Sequence, residues 1–418
     1  MTRMPKHPGE AAPSRGNGAA LRRLASGEWH QARGAGHGPP GHAPNAADLS
    51  RTIEIARVLL VIGLVFLHYG AIPPGWVSPF RGVDPASPHR VASFVNSAVL
   101  FFFFSAVPLL STISGWLFFR FGEDRPWPAL RRRMRARVRS LYAPLVVWNT
   151  IFLLALLAVH ATGEGASLTR QMNIDLGHAD AMAYVNAVLA LTDHPVAFQF
   201  WFVRDLFLTV LLSPLLWLSL RQAPWLGALV LGGAWVMDWN LVVFFRADVP
   251  FFFYLGALAR LRGYLPMPGR GATSALVTLY VALVLLRVSA PLLVDVDAPG
   301  TAWWLDFATR AMRPVGVLAC WGVCLRIAAA SWSGTVARHG NFAFFLHATH
   351  YPLIAAVKLV LWHLLPSETD AWLLAHYAAS VAVTVLLSFG AAKSIAAASP
   401  GLYTFLAGGR DIRAPSRA

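Results

Sequence analysis

The chain has 418 residues, of which 56% are hydrophobic and only 13% charged, with 16 tryptophans. A mean hydropathy of +0.52 excludes an ordinary soluble globular protein and indicates one that crosses a membrane several times. The formal net charge of +15 would suggest nucleic acid as the partner of a soluble domain. Here, however, the arginines stand between apolar segments, where they orient helices toward the cytoplasm and its anionic lipids. We therefore expect membrane lipids, and no nucleic acid, among the partners.

The N-terminal segment differs in composition from the rest of the chain. Residues 1–48 are rich in Gly, Pro, Ala, His and Arg and lack the apolar core of a secretory signal. Such a composition predicts a disordered basic tail. Behind it we expect a transmembrane domain over residues 49–398 and a cytoplasmic C-terminal tail over residues 399–418.

Apolar runs of membrane-spanning length predict an all-α membrane protein, a bundle of about ten transmembrane helices. Arg246 and Pro250 interrupt the fifth and sixth runs, which makes these two the weakest. The runs cover residues 52–72, 91–119, 139–160, 200–220, 225–243, 249–261, 273–293, 305–329, 341–362 and 371–396.

The charge of the loops predicts the orientation of the bundle. Residues 120–139 contain eight arginines and two acidic residues, whereas residues 161–199 contain one arginine and four acidic residues. By the positive-inside rule the first loop is cytoplasmic, which places both termini in the cytoplasm. The second loop is long for a compact bundle, and its apolar stretch 181–191 is too short to span. It predicts a surface or re-entrant helix that caps the bundle and could cover a cleft.

Arg57 and His68 lie in the first apolar run with ten residues between them. Eleven helical steps make about three turns, so both side chains project from one helix face about 16 Å apart. Ionisable groups inside a membrane helix are costly unless they serve a site. A neutral histidine can take a proton from a hydroxyl, and an arginine can hold an anion. The alternative is that Arg57 snorkels to the headgroups while His68 makes a hydrogen bond inside the bundle.

Six motifs in chain order carry a family resemblance. They are Glu54 to Arg57 with Phe66 to His68, Ser114-Gly115-Trp116, the arginines from Arg131 to Arg139 before Leu141-Tyr142-Ala143-Pro144, Phe200 to Leu206, Asn341 to His347, and Gly408-Gly409-Arg410. Over residues 50–410 the chain resembles the acyltransferase family 3 membrane enzymes, whose hallmark is an arginine and a histidine at this separation. Glu54 stands where that family more often has aspartate.

The resemblance implies a multi-pass O-acyltransferase of the bacterial inner membrane. Such an enzyme moves an acyl group, often acetyl, from cytoplasmic acyl-coenzyme A to a hydroxyl of a surface polysaccharide, a lipid-linked precursor or another glycan. The expected partners are therefore acyl-CoA as donor substrate, with no permanently bound cofactor, and a saccharide or lipid-linked glycan acceptor. By the same resemblance His68 and Arg57 are the catalytic pair, and His347 is a recurrent histidine of a late helix.

Further residues are candidates for substrate binding. The arginines from Arg131 to Arg139, among them Arg131, Arg132 and Arg135, offer charge-assisted contacts to the phosphates of a donor, although positive-inside topology alone would also produce them. Arg204 and Asp205 stand in a family motif, and because consecutive helix positions diverge by about 100° we expect them to have different partners. Arg287, Arg310, Arg313 and Lys358 are expected to snorkel from helix ends.

Several other chemistries lack their residues. Cys320 and Cys324 have no second pair to build a metal site, so no metal is expected. There is no GxSxG, HExxH or GxxxxGK[ST] motif. The main alternative is a transporter or flippase of a lipid-linked saccharide with no catalytic role for His68. The absence of a visible internal repeat weakens it.

Overall fold

The computed structural model describes residues 46–70, 78–120, 126–163, 173–365 and 369–413, and every regular element among them is a helix. Residues 1–45 of the predicted basic tail lie outside this range, as do residues 414–418 of the predicted C-terminal tail. So do residues 121–125 and 164–172 of the two loops that predict orientation.

The first half of the chain begins with a helix of 22 residues and continues through shorter, broken ones. In order these helices are α1 (Ala46–Leu67), α2 (Arg90–Phe103), α3 (Ala106–Phe118), α4 (Pro126–Arg137), α5 (Ala143–Ala161), α6 (Ala181–Leu189), α7 (Trp201–Leu211), α8 (Ser213–Gln222) and α9 (Pro224–Val236). A π-helical turn, Val138–Tyr142, joins α4 to α5, and a 3-10 turn, Phe198–Phe200, precedes α7.

The second half contains the longest helix, of 29 residues. Its helices are α10 (Asp248–Leu261), α11 (Arg270–Ser289), α12 (Pro299–Ala311), α13 (Arg313–Ala328), α14 (Ser333–Ala337), α15 (Ala343–Leu364), α16 (Asp370–Ala398) and α17 (Pro400–Leu406). Two 3-10 turns, Ala290–Leu292 and Gly340–Phe342, extend α11 and introduce α15.

Each of the ten predicted apolar runs coincides with one helix or a pair of consecutive helices. Within the described ranges, six helical segments are long and apolar enough to cross a membrane, or seven if the pair α7 and α8, bent by 59°, is one span. Helix α1 falls short of that standard because every stretch of 18 residues in it contains Arg51, Glu54 and Arg57. Helices α9 and α10 are too short, at 13 and 14 residues. The count of ten spans and the cytoplasmic termini thus stay predictions.

Helices α3 and α10 cross at very close range in the centre of the bundle. A side chain on Gly115 would collide with the backbone of Phe253, and one on Gly256 would collide with the backbone of Thr112. Two glycines therefore allow two backbones to touch, as small residues do in membrane helix pairs. The crossing fixes the position of α3, which forms one wall of the site described below.

Three of the four residues expected to snorkel are buried instead. Arg313 Nη1 lies 3.0 Å from Asp248 Oδ2, with both side chains almost fully enclosed. Arg287 donates to the carbonyls of Phe80 and Arg81 at 3.2 and 3.1 Å, and Lys358 Nζ donates to the carbonyl of Tyr69 at 3.0 Å. The expectation was wrong because these cations find oxygen atoms inside the bundle, which compensates for their desolvation.

The predicted capping helix is present as α6. Asp180 accepts a hydrogen bond from the Ala183 N–H at 2.7 Å and so caps its N-terminus. Leu153 and Leu156 of α5 form a small apolar cluster with Ala187 of α6 and Val196. Helix α6 thus lies against α5 and is not an independent span.

Candidate functional site

Arg57 is the twelfth of the 22 residues of α1 and is paired with a buried carboxylate one turn earlier. Its Nη1 lies 2.6 Å from Glu54 Oε1, and its side chain is 24% exposed while that of Glu54 is 2% exposed. Glu54 is therefore a partner enclosed by protein, whereas the guanidinium keeps donors on a solvent-facing side. Such a group can bind an anion without leaving its own carboxylate.

Five arginines from four chain segments meet at one end of the bundle. We call them the arginine mouth: Arg57, Arg120, Arg133, Arg137 and Arg410. They surround an opening of about 440 Å³. Arg133 and Arg137 stand one turn apart on α4 and therefore share a face. Arg133 also donates to the carbonyls of Leu117 and Phe118, which end α3, at 2.9 and 2.7 Å. So many like charges in one opening favour a bound anion.

The C-terminal Gly-Gly-Arg motif brings Arg410 into the mouth. Gly408 and Gly409 have φ angles of +65° and +85°, which favour glycine, and a side chain at Gly408 would collide with the carbonyl of Ser140. Asn341 Nδ2 donates to the Asp411 carbonyl at 2.9 Å and holds the following residues. Two motifs distant in sequence thus form one wall.

A narrow cavity of about 100 Å³ runs inward from the mouth and reaches His347. Arg57, Arg137 and Arg410 line it at the mouth, and the residues between them and His347 are mostly apolar. The apolar lining comes chiefly from α1, α3, α7 and α15: Val61, Leu110, Leu117, Phe118, Phe202, Val203, Leu206, Val210, Ala343 and Phe344. Because one water molecule takes about 30 Å³, a volume of this size holds a slender chain or a few waters.

His68 follows the last residue of α1 and contacts a histidine of α15. Its Nδ1 lies 2.8 Å from the carbonyl oxygen of Leu64 and 3.0 Å from Nε2 of His350. In turn, Nδ1 of His350 lies 2.8 Å from the His347 carbonyl oxygen and 3.1 Å from that of Leu346. Carbonyl oxygens only accept, so each neutral ring carries its proton on Nδ1. His350 Nε2 then accepts from His68, and His68 keeps the lone pair on Nε2 for a substrate hydroxyl.

His347 is the one histidine of this cluster that lines the cavity. Its ring packs edge-on against Phe200 and Phe202, with centroids 6.0 Å apart in both cases. The ring donates a hydrogen bond to the backbone carbonyl of Gln199. Its Nε2 is buried and has no hydrogen-bond partner among the described residues. The donor is therefore Nδ1, which leaves the lone pair on the buried Nε2 without a partner.

A proline in α15 explains why Gln199 is held where it contacts His347. Pro352 has no N–H, so the helix cannot bond the carbonyl of Ala348 four residues earlier. Gln199 Nε2 donates to that carbonyl at 2.8 Å. The side chain of Gln199 thus replaces the missing bond, and its backbone carbonyl accepts from His347.

The predicted catalytic pair and His347 lie in one region but not on one surface. Arg57 and His347 line the same cavity, while His68 is not among the described residues that line it. His68 joins the cavity through its neighbours, since the ring centroids of His68 and His350 are 5.0 Å apart and those of His350 and His347 are 5.5 Å apart. The spacing argument therefore located both ends of the site but not the two histidines between them.

The three arginines predicted to bind phosphate lie elsewhere. Arg131, Arg132 and Arg135 are exposed and line a separate surface depression beside Trp127 and Arg139. They occupy a different face of α4 from Arg133 and Arg137. The structure therefore does not bring them to the arginine mouth.

Arg204 and Asp205 bind each other, which contradicts the expectation of different partners. Arg204 Nη1 lies 2.8 Å from Asp205 Oδ1, and both side chains are buried. Arg204 also donates to the carbonyls of Ala190 and Leu191 at 3.0 and 2.7 Å. Asp205 accepts from the backbone N–H of Phe245 at 3.0 Å and of Arg246 at 2.9 Å. The expectation failed because long side chains can turn toward shared loop partners, and the pair clamps two loops at the end of the bundle opposite the mouth.

A polar cleft of about 580 Å³ lies beneath α6 at that same end. Its polar lining consists of His160, Asn173, Asp175, His178, Asn186, Asp193 and His194. Burial lowers the pKa of His194, so the ring is held neutral. The His194 ring lies 5.1 Å from that of Phe198, which in turn lies 6.2 Å from that of His68. One aromatic ring therefore stands between this cleft and His68.

Sequence reasoning did not single out Arg133, Arg137, Arg410 or His350 as members of the site, although Arg133 and Arg137 lie in the arginine range from Arg131 to Arg139 that it assigned to the donor. The signal for the first two was their spacing of four within an arginine-rich helix, which places them on one face. Arg410 stood in a recognised Gly-Gly-Arg motif, and His350 shared a face with His347. Nothing in the sequence indicated that these residues would meet α1.

The fold and site together define a class. A helical membrane protein that carries buried histidines beside a cavity with a cationic opening is suited to act on an anionic, slender substrate. Within the described ranges no three His, Cys, Asp or Glu side chains come together as metal ligands.

Comparison with known proteins identifies the family. Residues 51–393 match the family model of the acyltransferase 3 group, described as an acyltransferase domain, and the chain belongs to this family of acyl-transferring enzymes. The chain is also similar to the succinoglycan biosynthesis protein ExoH of Rhizobium meliloti (strain 1021). The two are 27% identical over 319 residues, which cover 75% of this chain and 81% of that protein. No solved structure matches the chain significantly.

Proposed function

We propose that this chain is an O-acyltransferase of the bacterial inner membrane. It moves an acyl group, acetyl in the first instance, from acyl-CoA to a hydroxyl of a cell-surface polysaccharide or its lipid-linked precursor. Membership of the acyltransferase family supports the reaction class. The relative named for succinoglycan biosynthesis supports a polysaccharide acceptor.

The observation that carries the proposal is a cavity with arginines at its opening and His347 at its inner end. Coenzyme A consists of a phosphorylated nucleotide and a thin thioester arm. Its phosphates suit the arginine mouth, where guanidinium groups give charge-assisted hydrogen bonds. Its arm suits the narrow apolar cavity. In this proposal the mouth faces the cytoplasm, which supplies the donor.

The acceptor reaches the opposite end, where the polar cleft beneath α6 lies one aromatic ring away from His68. His68 Nε2 takes the proton of the acceptor hydroxyl as a general base, because the carbonyl of Leu64 and Nε2 of His350 hold its other proton on Nδ1. A general base increases the rate of such a reaction by a factor of about 10²–10⁴, so the reaction requires His68.

The test compares surface glycans by mass spectrometry from cells that carry the wild-type gene, the His68→Ala variant or no gene. We expect the wild-type chain to add an acyl mass increment that is absent in both other strains. His363→Ala is the matched control, because His363 is an exposed histidine of α15. A glycan increment retained by His68→Ala at equal membrane content would contradict the role of His68. Identical glycans with and without the gene would contradict the whole function.

A further inference from the structure

His347 stands where the donor cavity ends, and its chemistry is that of a nucleophile. The side chain is 5% exposed, and its Nε2 has no hydrogen-bond partner among the described residues. Its other nitrogen donates to the backbone carbonyl of Gln199, so the lone pair of the neutral ring is on Nε2. A desolvated, unprotonated imidazole nitrogen is able to attack an activated carbonyl carbon.

The two other histidines of the cluster are less suited to meet the donor. Nε2 of His350 lies 3.0 Å from Nδ1 of His68, from which it accepts, so its lone pair is engaged. His68 is not among the described residues that line the donor cavity. A thioester arm that enters from the mouth therefore meets His347 first.

The size of the cavity separates the two substrates. A volume of about 100 Å³ accommodates the acyl end of a thioester arm but no saccharide beside it. The polar cleft that could hold a saccharide lies at the other end, next to His194 and Phe198. Donor and acceptor therefore reach His347 one after the other, and the path from His347 through His350 to the base His68 runs in ring-centroid steps of 5.5 and 5.0 Å.

We propose that His347 accepts the acyl group covalently before the acceptor receives it. This inference rests on the function proposed above. Nε2 of His347 attacks the thioester carbon, the carbon–sulfur bond breaks, and coenzyme A leaves as a thiolate from an acyl-imidazolium whose Nδ1–H still bonds Gln199. The acceptor hydroxyl then gives its proton to His68, its oxygen attacks the acyl carbon, and the carbon–nitrogen bond breaks. His347 returns to the neutral ring, and the proton on His68 passes to solvent, where it balances the protonation of the thiolate.

In the two-step path His68 and His347 act in different steps, so their roles can be tested separately. If His68 acts only on the acceptor, loss of its imidazole should leave the first step intact and block the second. His68→Ala should therefore accumulate acyl-His347, whereas direct transfer would give no adduct in any variant.

The experiment uses the purified full chain in lipid nanodiscs with acetyl-CoA and succinyl-CoA, and glycan from the gene-deletion strain as acceptor. The donor that supports glycan acylation by the wild-type chain is then given to His68→Ala without acceptor. We expect a burst of about one free CoA thiol per chain. Intact-protein and peptide mass spectrometry should locate one acyl group on His347, and neutral hydroxylamine should remove it.

Control variants share the same helix. His68→Ala combined with His347→Gln should lose the burst, and His68→Ala combined with His363→Gln should keep it. Because the adduct is mapped in a chain that retains His347, the result does not depend on how the His347 variant folds. Glycan acylation by the wild-type chain with no burst and no adduct in His68→Ala overturns the covalent step and leaves the proposed function standing. An adduct on any other residue overturns it as well. If neither donor supports acylation of the glycan, the proposed function itself fails.

Discussion

At the residue scale, His350 acts with the Leu64 carbonyl to hold the proton of His68 on Nδ1. The ring accepts from His68 Nδ1 through Nε2, at 3.0 Å, and its own Nδ1 is anchored to two backbone carbonyls. His350 lines neither the cavity nor the polar cleft. In the proposed reaction it therefore acts through His68, by fixing the orientation of the imidazole proposed to take the proton of the acceptor.

Replacing His350 should separate this role from simple packing. In His350→Leu the acceptor is lost, and since one hydrogen bond contributes about 0.5–1.5 kcal/mol, we expect kcat to fall about tenfold. In His350→Gln the side-chain oxygen can still accept, so kcat should return to within about threefold of wild type. Steady-state kinetics with acyl-CoA checks this, and KM for acyl-CoA should stay unchanged in both variants. Equal losses in the two variants, accompanied by equal loss of thermal stability, would show that His350 only fills space.

Single residues also show what the sequence alone could establish. Arg57 and His68 were recognisable because two ionisable groups at helical spacing inside an apolar run are costly without a purpose. The partners of His68 were not recognisable, because His350 is 282 residues away and only the fold brings it near. Local periodicity predicts which face a side chain occupies, but it does not predict which other helix that face meets.

At the element scale, helix α4 presents two arginine surfaces with different surroundings. Arg133 and Arg137 point to the mouth, whereas Arg131, Arg132 and Arg135 are exposed on another face. The three arginines named from the sequence are therefore not the two of α4 that line the mouth. The apolar residues of α4 are too few to make its buried side evident from sequence.

The two faces of α4 provide a matched pair of variants. Arg137→Gln should weaken binding of acyl-CoA about 10- to 100-fold, since a hydrogen bond to a charged group contributes about 1.5–3 kcal/mol. Arg135→Gln removes the same charge from the same helix two residues away and should change affinity less than about threefold. Isothermal titration of CoA into the nanodisc-embedded chain measures both. If the two variants lose affinity equally, the donor does not use the mouth.

The helices could be predicted from the sequence, but the number of them that cross the membrane could not. All ten apolar runs form helices because a run of that length can satisfy its backbone only as a helix in a bilayer. Whether a run crosses the bilayer depends on breaks such as the 59° bend after Leu211 and on the charges of α1. The charges of α1 can be read from the sequence, whereas the angle of the bend is seen only in the structure.

At the scale of the whole molecule, the site has openings toward both ends of the bundle. The arginine mouth lies at one end, and the polar cleft beneath α6 lies at the other. The structure thus has two distinct ends, and loop charge predicts which of them faces the cytoplasm.

Thiol labelling tests that orientation. Arg135→Cys and His178→Cys each place one exposed thiol, at the mouth end and the cleft end respectively. In intact cells a membrane-impermeant maleimide should label His178→Cys at once, but Arg135→Cys only after the membrane is permeabilised. The parent chain is the control, since its two cysteines, Cys320 and Cys324, are both buried. The reverse pattern would invert the bundle, and labelling of both from outside would place both loops on one side.

Pro352 links a missing backbone hydrogen bond to the protonation of His347, five residues earlier in the same helix. Because Pro352 has no N–H, the carbonyl oxygen of Ala348 is free to accept from the side chain of Gln199. The backbone carbonyl of Gln199 then accepts from one nitrogen of His347, so the other nitrogen is unprotonated. The missing hydrogen bond at Pro352 thereby determines which nitrogen of the His347 side chain carries the proton. Replacement of this proline with a residue that has an N–H would restore the backbone hydrogen bond to Ala348 and release the side chain of Gln199. A regular α15 would therefore leave the protonation of His347 less well defined.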